Sequence, residues 1–267
     1  MKTARTLNLD QGWKFSTGMY NSLSEFLAAA KPELAGKPPR QVNLPHDYMM
    51  EAGPDPKAPA GSASGFYTAG PAHYTRQVEI PAGWEGEEVY LQLDGAMMNA
   101  TMEINGCRAA LQHNGYIPFA VRITPYLYCG QANRITITLN PAMQPNSRWY
   151  TGAGLLRSVS LLHVPPLYLE PDGIFGFTRS IDYGPDGQPV SAQLEVAVDL
   201  RNQTGLPRVA SVEVWLTQED TGAEAARCVQ PLQVEPDSLA TAHLRFSLPR
   251  PLLWDAEHPN LYRLHAR

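Results

Sequence analysis

Arg148, Trp149 and Tyr150 stand in a row in RWYTGAGLLR (148–157), directly ahead of Thr151-Gly152-Ala153-Gly154. Their side chains combine a rigid five-donor fork with two ring faces, each ring carrying a polar tip. A sugar asks for that combination, because a pyranose shows a flat C–H face and a rim of hydroxyls. The same residues also suit plain packing, with the rings filling an interface and Arg148 in an ion pair. The two uses do not exclude each other. Asp47 is the fourth candidate. It follows Leu44-Pro45-His46 in VNLPHDY (42–48), where a strand ends, so its carboxylate either faces a ligand or caps nearby backbone N–H groups. His46 and Arg157 read as structural residues.

Other chemistries find less support. Asp94 in LDG and Asp172 in PDG carry carboxyls suited to general acid–base work. An aspartate before glycine favours a turn, however, and both read as turn residues. Cys107, Cys129 and Cys228 lie far apart with no CxxC spacing, which suits neither a disulfide framework nor a zinc site and fits a reducing cytoplasm. GxGxxG, P-loop and HExxH patterns are absent. No metal ligand and no cofactor site is assigned.

Strands must position the four candidates. HYTRQVEI (73–80), EEVYLQLDG (87–95), NATMEING (99–106) and NRITITLN (133–140) each alternate apolar and polar residues between Gly, Pro or Asn. In the last of these, Ile135, Ile137 and Leu139 share one face. One helix is expected, over NSLSEFLAAA (21–30), with Asn21 or Ser22 as its N-cap. With 24 prolines and 21 glycines cutting the chain into short runs, the pattern predicts an all-β protein built from antiparallel sandwiches or barrels. Trp13, Trp84, Trp215 and Trp254 read as packing residues, and Tyr116 and Phe119 in NGYIPF as loop anchors.

HVPPLYLEPDG (163–173) marks a seam, after which alternation restarts in IFGFTRSI, SAQLEVAVDLRNQ and ASVEVWLTQED. Two domains follow from this, 1–166 and 167–267, the second an immunoglobulin-type sandwich. LYRLHAR (261–267) alternates like a strand that has just begun, so the second sandwich is expected to be truncated, without its closing partner.

Composition narrows the function further. A net charge of −5 argues against nucleic acid, which calls for a basic patch. No apolar stretch approaches the ~20 residues of a membrane helix. The opening MKTARTLNLDQGWKF has no apolar core of a secretory signal, and the expected location is the cytoplasm.

Taken together, these stretches resemble the N-terminal part of family 2 glycoside hydrolases, the β-galactosidase and β-glucuronidase group. LNLDQGWKF (7–15) resembles that family's opening strand, and VNLPHDY its Leu-Pro-His-Asp-Trp element, with Tyr48 in place of Trp. The run from Leu91 to Leu127, with its DG, NG and Gly-Tyr-x-Pro-Phe elements, is similar to the family's most recognisable stretch. RWYTGAGLLR resembles the Arg-Trp-Tyr-x-Gly-x-Gly-Ile-Tyr-Arg signature, and LWDAEHPNLYRL (253–264) a segment near the end of the immunoglobulin-like domain. SASGFYTAGPAHYTRQVEIP (62–81) departs from the family's usual Gly-Trp-Tyr-Arg.

The resemblance implies a jelly-roll, galactose-binding-like domain followed by an immunoglobulin-like one. It also implies that the catalytic (β/α)₈ barrel, which carries both catalytic glutamates of a retaining hydrolase, is absent from this chain, so no catalytic residue is assigned. Asp47, Arg148, Trp149 and Tyr150 would wall the sugar pocket or face the barrel. The implied function is the non-catalytic N-terminal portion of a retaining β-glycosidase, with β-galactosidase favoured. The alternatives are a piece of a β-glucuronidase or β-mannosidase, or a free-standing carbohydrate-binding module. The implied partners are a carbohydrate, met through the parent enzyme, and the missing barrel. Self-association is expected through uncovered surfaces.

Overall fold

Alternating sequence becomes antiparallel strands in the computed structural model, which describes residues 5–18, 39–141 and 147–267. The helix expected at 21–30 lies outside the described residues. The chain divides into two units, Met1–Val164 and Pro165–Arg267. No helix among the described residues is long and apolar enough to cross a membrane.

The first unit contains β1 (Arg5–Asn8), β2 (Trp13–Thr17), β3 (Arg40–Val42), β4 (His46–Asp47), the short helix α1 (Tyr48–Ala52), β5 (Ala72–Ile80) and β6 (Glu88–Leu93). After these come β7 (Ala100–Ile104), β8 (Cys107–Gln112), β9 (Phe119–Arg122), β10 (Gln131–Leu139), β11 (Gly154–Leu155) and β12 (Val159–Val164). One sheet runs β1-β12-β6-β9 and a second β3-β2-β5-β10-β7-β8, while β11 and β4 form a separate pair. This is a jelly-roll-type sandwich. Its core is written in the period-2 pattern: Ile135, Ile137 and Leu139 of β10 are all buried, as are Ala100, Met102 and Ile104 on the neighbouring β7. Trp13 is fully buried, and its indole N–H donates to the Leu9 carbonyl at 2.6 Å, which satisfies its one polar atom.

Two expected turns have different outcomes. Asn105-Gly106 closes the β7–β8 hairpin with φ of 53° and 84°, the double positive φ that a type I′ turn needs and that Asn-Gly supplies at low cost. Asp94-Gly95 is not a hairpin turn. A tight turn there would lay β6 beside β7, but both flanks of β6 are occupied, by β12 and β9, and β7 belongs to the other sheet. Asp94 instead begins a crossover that runs through the Met97↔Gly154 bridge.

The second unit contains β13 (Leu167–Tyr183), β14 (Pro189–Asn202), β15 (Arg208–Gln218), β16 (Glu224–Val234), β17 (Ser238–Pro249) and β18 (Tyr262–Ala266). Sheets β13-β14-β17 and β16-β15-β18 enclose Val196, Val198, Val212, Val214, Ala242 and Leu244, as in an immunoglobulin-like sandwich. Pro231 sits in β16, an edge strand where a missing N–H is tolerated. Asp172 is not a turn between strands either. It takes φ 59° at a bulge inside β13, where the register jumps between Leu169↔Leu200 and Ile174↔Val198. Bulges need a left-handed residue, which aspartate accepts more readily than most.

The alternation in LYRLHAR does form a strand. β18 pairs with β15 from Val214↔Ala266 to Gln218↔Tyr262, and Arg267 exchanges backbone bonds of 2.8 Å with Glu213. Among the described residues no strand pairs with its other side. Trp254 is not a packing residue. It is 64% exposed in the β17–β18 connection, where no sheet face covers it. Trp215 is half-buried, with the His265 ring stacked on it at 4.9 Å.

Candidate functional site

The Pro-His-Asp-Tyr and Arg-Trp-Tyr segments, more than a hundred residues apart in sequence, lie directly on each other. β4 and β11 pair through Gly154↔Asp47 and Leu155↔His46, and the Tyr48 N–H donates to the Ala153 carbonyl at 3.0 Å. Asp47 is extended (φ −113°, ψ 98°) and caps α1, its Oδ1 accepting the Met49 N–H at 3.1 Å. The same oxygen accepts the Ala153 N–H at 3.0 Å, and Oδ2 accepts the Tyr150 hydroxyl at 2.6 Å. One carboxylate thus clamps three donors drawn from both segments.

This approach explains the two glycines of the signature. A Cβ on Gly154, whose φ is 151°, would lie 2.0 Å from the His46 carbonyl oxygen. A Cβ on Gly152, at φ 71°, would lie 2.9 Å from Asp47 Oδ2. Any other residue at either position would push the segments apart.

His46 is buried and structural, as its neighbours imply. Its Nδ1 lies 2.7 Å from the Tyr74 hydroxyl and its Nε2 3.1 Å from Glu51 Oε1, with Arg40 ion-paired to the same Glu51. Tyr150 is half-buried, its ring edge-on to Tyr67 at 5.1 Å. Burial, and then the hydrogen bond to the Asp47 carboxylate, push the Tyr150 phenol well above its ordinary pKa. It therefore stays a neutral donor across the physiological range.

The other two candidates behave differently. Arg148 is exposed, and the ion pair considered for it does not form among the described residues. Trp149 is 62% exposed, and its indole N–H reaches the Tyr116 hydroxyl at 3.4 Å. The structure therefore joins Asp47 to Tyr150 directly and places Arg148 and Trp149 on the same loop, facing solvent. Arg157 acts structurally: its Nη1 lies 3.3 Å from both the Asp94 and Tyr116 carbonyls.

Tyr67 and Tyr116 are the partners that sequence reasoning did not connect to the site. Tyr67 lies in the stretch that departs from the family pattern, and Tyr116 read only as a loop anchor. No spacing rule links position 67 to 150, or 116 to 149. Among the described residues no group of three or more His, Cys, Asp or Glu side chains is placed to hold a metal ion.

Comparison with known proteins decides the family. The description "Glycosyl hydrolases family 2, sugar binding domain" matches residues 58–165, and "Glycosyl hydrolases family 2" matches residues 180–267. The chain belongs to glycosyl hydrolase family 2. Among curated family 2 relatives, the β-galactosidase BoGH2A of Bacteroides ovatus is 29% identical over 252 residues, covering 94% of this chain and 28% of the relative. A β-glucuronidase of Formosa agariphila is 23% identical over 215 residues, covering 73% of this chain and 21% of its own length. Among solved structures, a family 2 member from Bacteroides cellulosilyticus superposes with a TM-score of 0.84 at 26% identity, over 98% of this chain and 33% of that one. The chain thus spans about a third or less of the length of these family 2 proteins, and that span corresponds to the sugar-binding and immunoglobulin-like sandwiches.

Proposed function

We propose that this chain is the non-catalytic N-terminal portion of a retaining β-glycosidase, with β-galactosidase as the specific activity. It would supply the wall of a sugar pocket whose catalytic pair lies on a barrel elsewhere in the parent enzyme. The observation that carries this reading is the Asp47 clamp. It fixes the Arg148–Tyr150 loop rigidly while leaving the Arg148 fork and the Trp149 ring free to meet something outside the sandwich. Preorganised groups of this kind contribute to binding without the cost of ordering a loop. The long match to a β-galactosidase supports that sugar, and the β-glucuronidase relative supplies the competing one.

The test is enzymatic. The chain alone should hydrolyse no nitrophenyl β-galactoside above buffer, since a retaining mechanism needs two carboxyls about 5–5.5 Å apart across the scissile bond. The full-length enzyme should cleave that substrate in preference to the nitrophenyl β-glucuronide. In it, Trp149→Ala should lower kcat/KM by about tenfold, equivalent to roughly 1.4 kcal/mol of transition-state binding. In the isolated chain the same change should cost no more than about 0.5 kcal/mol of stability, as expected of an exposed side chain. A loss of ~3–5 kcal/mol would make the ring a core residue and end the pocket-wall reading.

A further inference from the structure

Trp149 and Tyr116 come from loops more than thirty residues apart, yet their polar tips meet at 3.4 Å while the rings stay 62% and 48% exposed. Both backbones are pinned. The Trp149 carbonyl accepts the Ser147 hydroxyl at 2.7 Å. The Tyr116 N–H donates to Asn114 Oδ1 at 2.8 Å, and its carbonyl accepts from Arg157 Nη1 at 3.3 Å. Gly115 lies flat on Met97, where a Cβ would come within 2.6 Å of the sulfur, so the loop cannot lift off without losing that contact. Two large rings are therefore held in water by rigid supports, where an unused pair would gain about 25 cal/mol per Å2 by folding back onto apolar surface. The indole–phenol bond is at the long end of the hydrogen-bond range, so the indole N–H can be given up to a better acceptor. The exposed Arg148 fork stands on the next residue.

We propose that Trp149 and Tyr116 form a single aromatic platform for the C–H face of a β-linked pyranose, with Arg148 donating to its hydroxyls and Tyr116 setting the tilt of the indole. The inference rests on the carbohydrate reading above and deepens it, adding Tyr116 as a specificity-determining residue. In a β-galactopyranoside H1, H3, H4 and H5 lie on one face and match an apolar platform. The other face carries the axial 4-hydroxyl and does not.

Saturation-transfer NMR detects such weak contacts and needs only this chain, with methyl β-D-galactopyranoside as the probe. The expected result is saturation concentrated on H3, H4 and H5 rather than H2. Trp149→Ala should abolish it and Tyr116→Ala should weaken binding about fivefold, the scale of one aromatic contact. Tyr116→Phe should keep the contact but lose the face selectivity, because the indole is no longer held. Thermal melts of each variant should overlay the parent chain, since both rings are exposed. Absence of transfer to the unsubstituted chain, or transfer unaltered by Trp149→Ala or Tyr116→Ala, would overturn the platform. That failure is separable from failure of the function. A full-length enzyme that cleaves β-galactosides while this chain saturates no sugar removes the platform alone, and the converse removes the glycosidase reading alone.

Discussion

Asp47 accepts three hydrogen bonds with one carboxylate, two of them from the buried residues Met49 and Ala153. Removing it leaves those N–H groups and the Tyr150 hydroxyl without their acceptor, and stranded donors cost more than the bonds were worth. Asp47→Ala should destabilise the first unit by about 2–4 kcal/mol, combining the loss of a helix cap with that of charge-assisted bonds. Asp47→Asn keeps one acceptor oxygen and should cost less. Tyr150→Phe removes one partner and should be partly redundant with Asp47→Asn, giving a coupling energy of about 0.5–3 kcal/mol. Urea midpoints of the four species measure this. Simple additivity would show that the 2.6 Å contact carries no energy of its own.

At the scale of elements, the β4–β11 pair depends on close backbone approach, so Gly154→Ala should cost about 3 kcal/mol or more, its Cβ being directed at the His46 carbonyl. Recovery of wild-type stability would mean the two segments separate freely. A second prediction concerns the link from β1 to β12. Asp10 Oδ1 accepts the Val159 N–H at 2.9 Å, and Oδ2 accepts the Asn8 amide at 2.7 Å and the Ser158 hydroxyl at 3.0 Å. Burial pushes this carboxyl up, but the bonds from Asn8, Val159 and Ser158 together outweigh it and hold its pKa below the ordinary value. A lowered folded pKa means that its contribution is complete above the unfolded pKa of about 4 and is lost as pH falls through the folded value. Stability of the first unit should therefore decline below about pH 4, and Asp10→Asn should flatten that part of the profile. An unchanged acid limb in denaturation curves would assign the decline to other carboxyls.

At the scale of the molecule, the second unit leaves much apolar surface uncovered. β13 pairs only with β14 among the described residues, and on it Ile174, Phe175 and Phe177 are 42%, 66% and 43% exposed. Within that unit an apolar cleft of about 330 Å3 opens among Phe177, Leu194, Phe246, Trp254 and Tyr262. Open strand edges recruit other strands, and exposed apolar patches promote association. The chain is expected to self-associate in light-scattering measurements. Phe175→Lys combined with Phe177→Lys should shift it toward monomer, because charged residues block edge pairing. A strictly monomeric unsubstituted chain at high concentration would refute this.

Sequence alone determined the β class, the inward faces of β7 and β10, and the Asn105-Gly106 turn, because period-2 alternation and turn chemistry are local properties. It also determined the family, since ordered motifs along the whole chain survive as text. Tertiary structure decided what those motifs touch. Asp94 and Asp172 had the same local signal as Asn105, yet one begins a crossover and the other sits in a bulge. Sheet order, which no dipeptide encodes, chose between those outcomes. Asp47 could be read as cap or ligand contact until the fold brought Tyr150 and Ala153 to it from more than a hundred residues away. Tyr116 became a partner of Trp149 in the same way. Contacts at such separation arise from the packing of whole sheets, so they have no periodicity for a linear reading to detect.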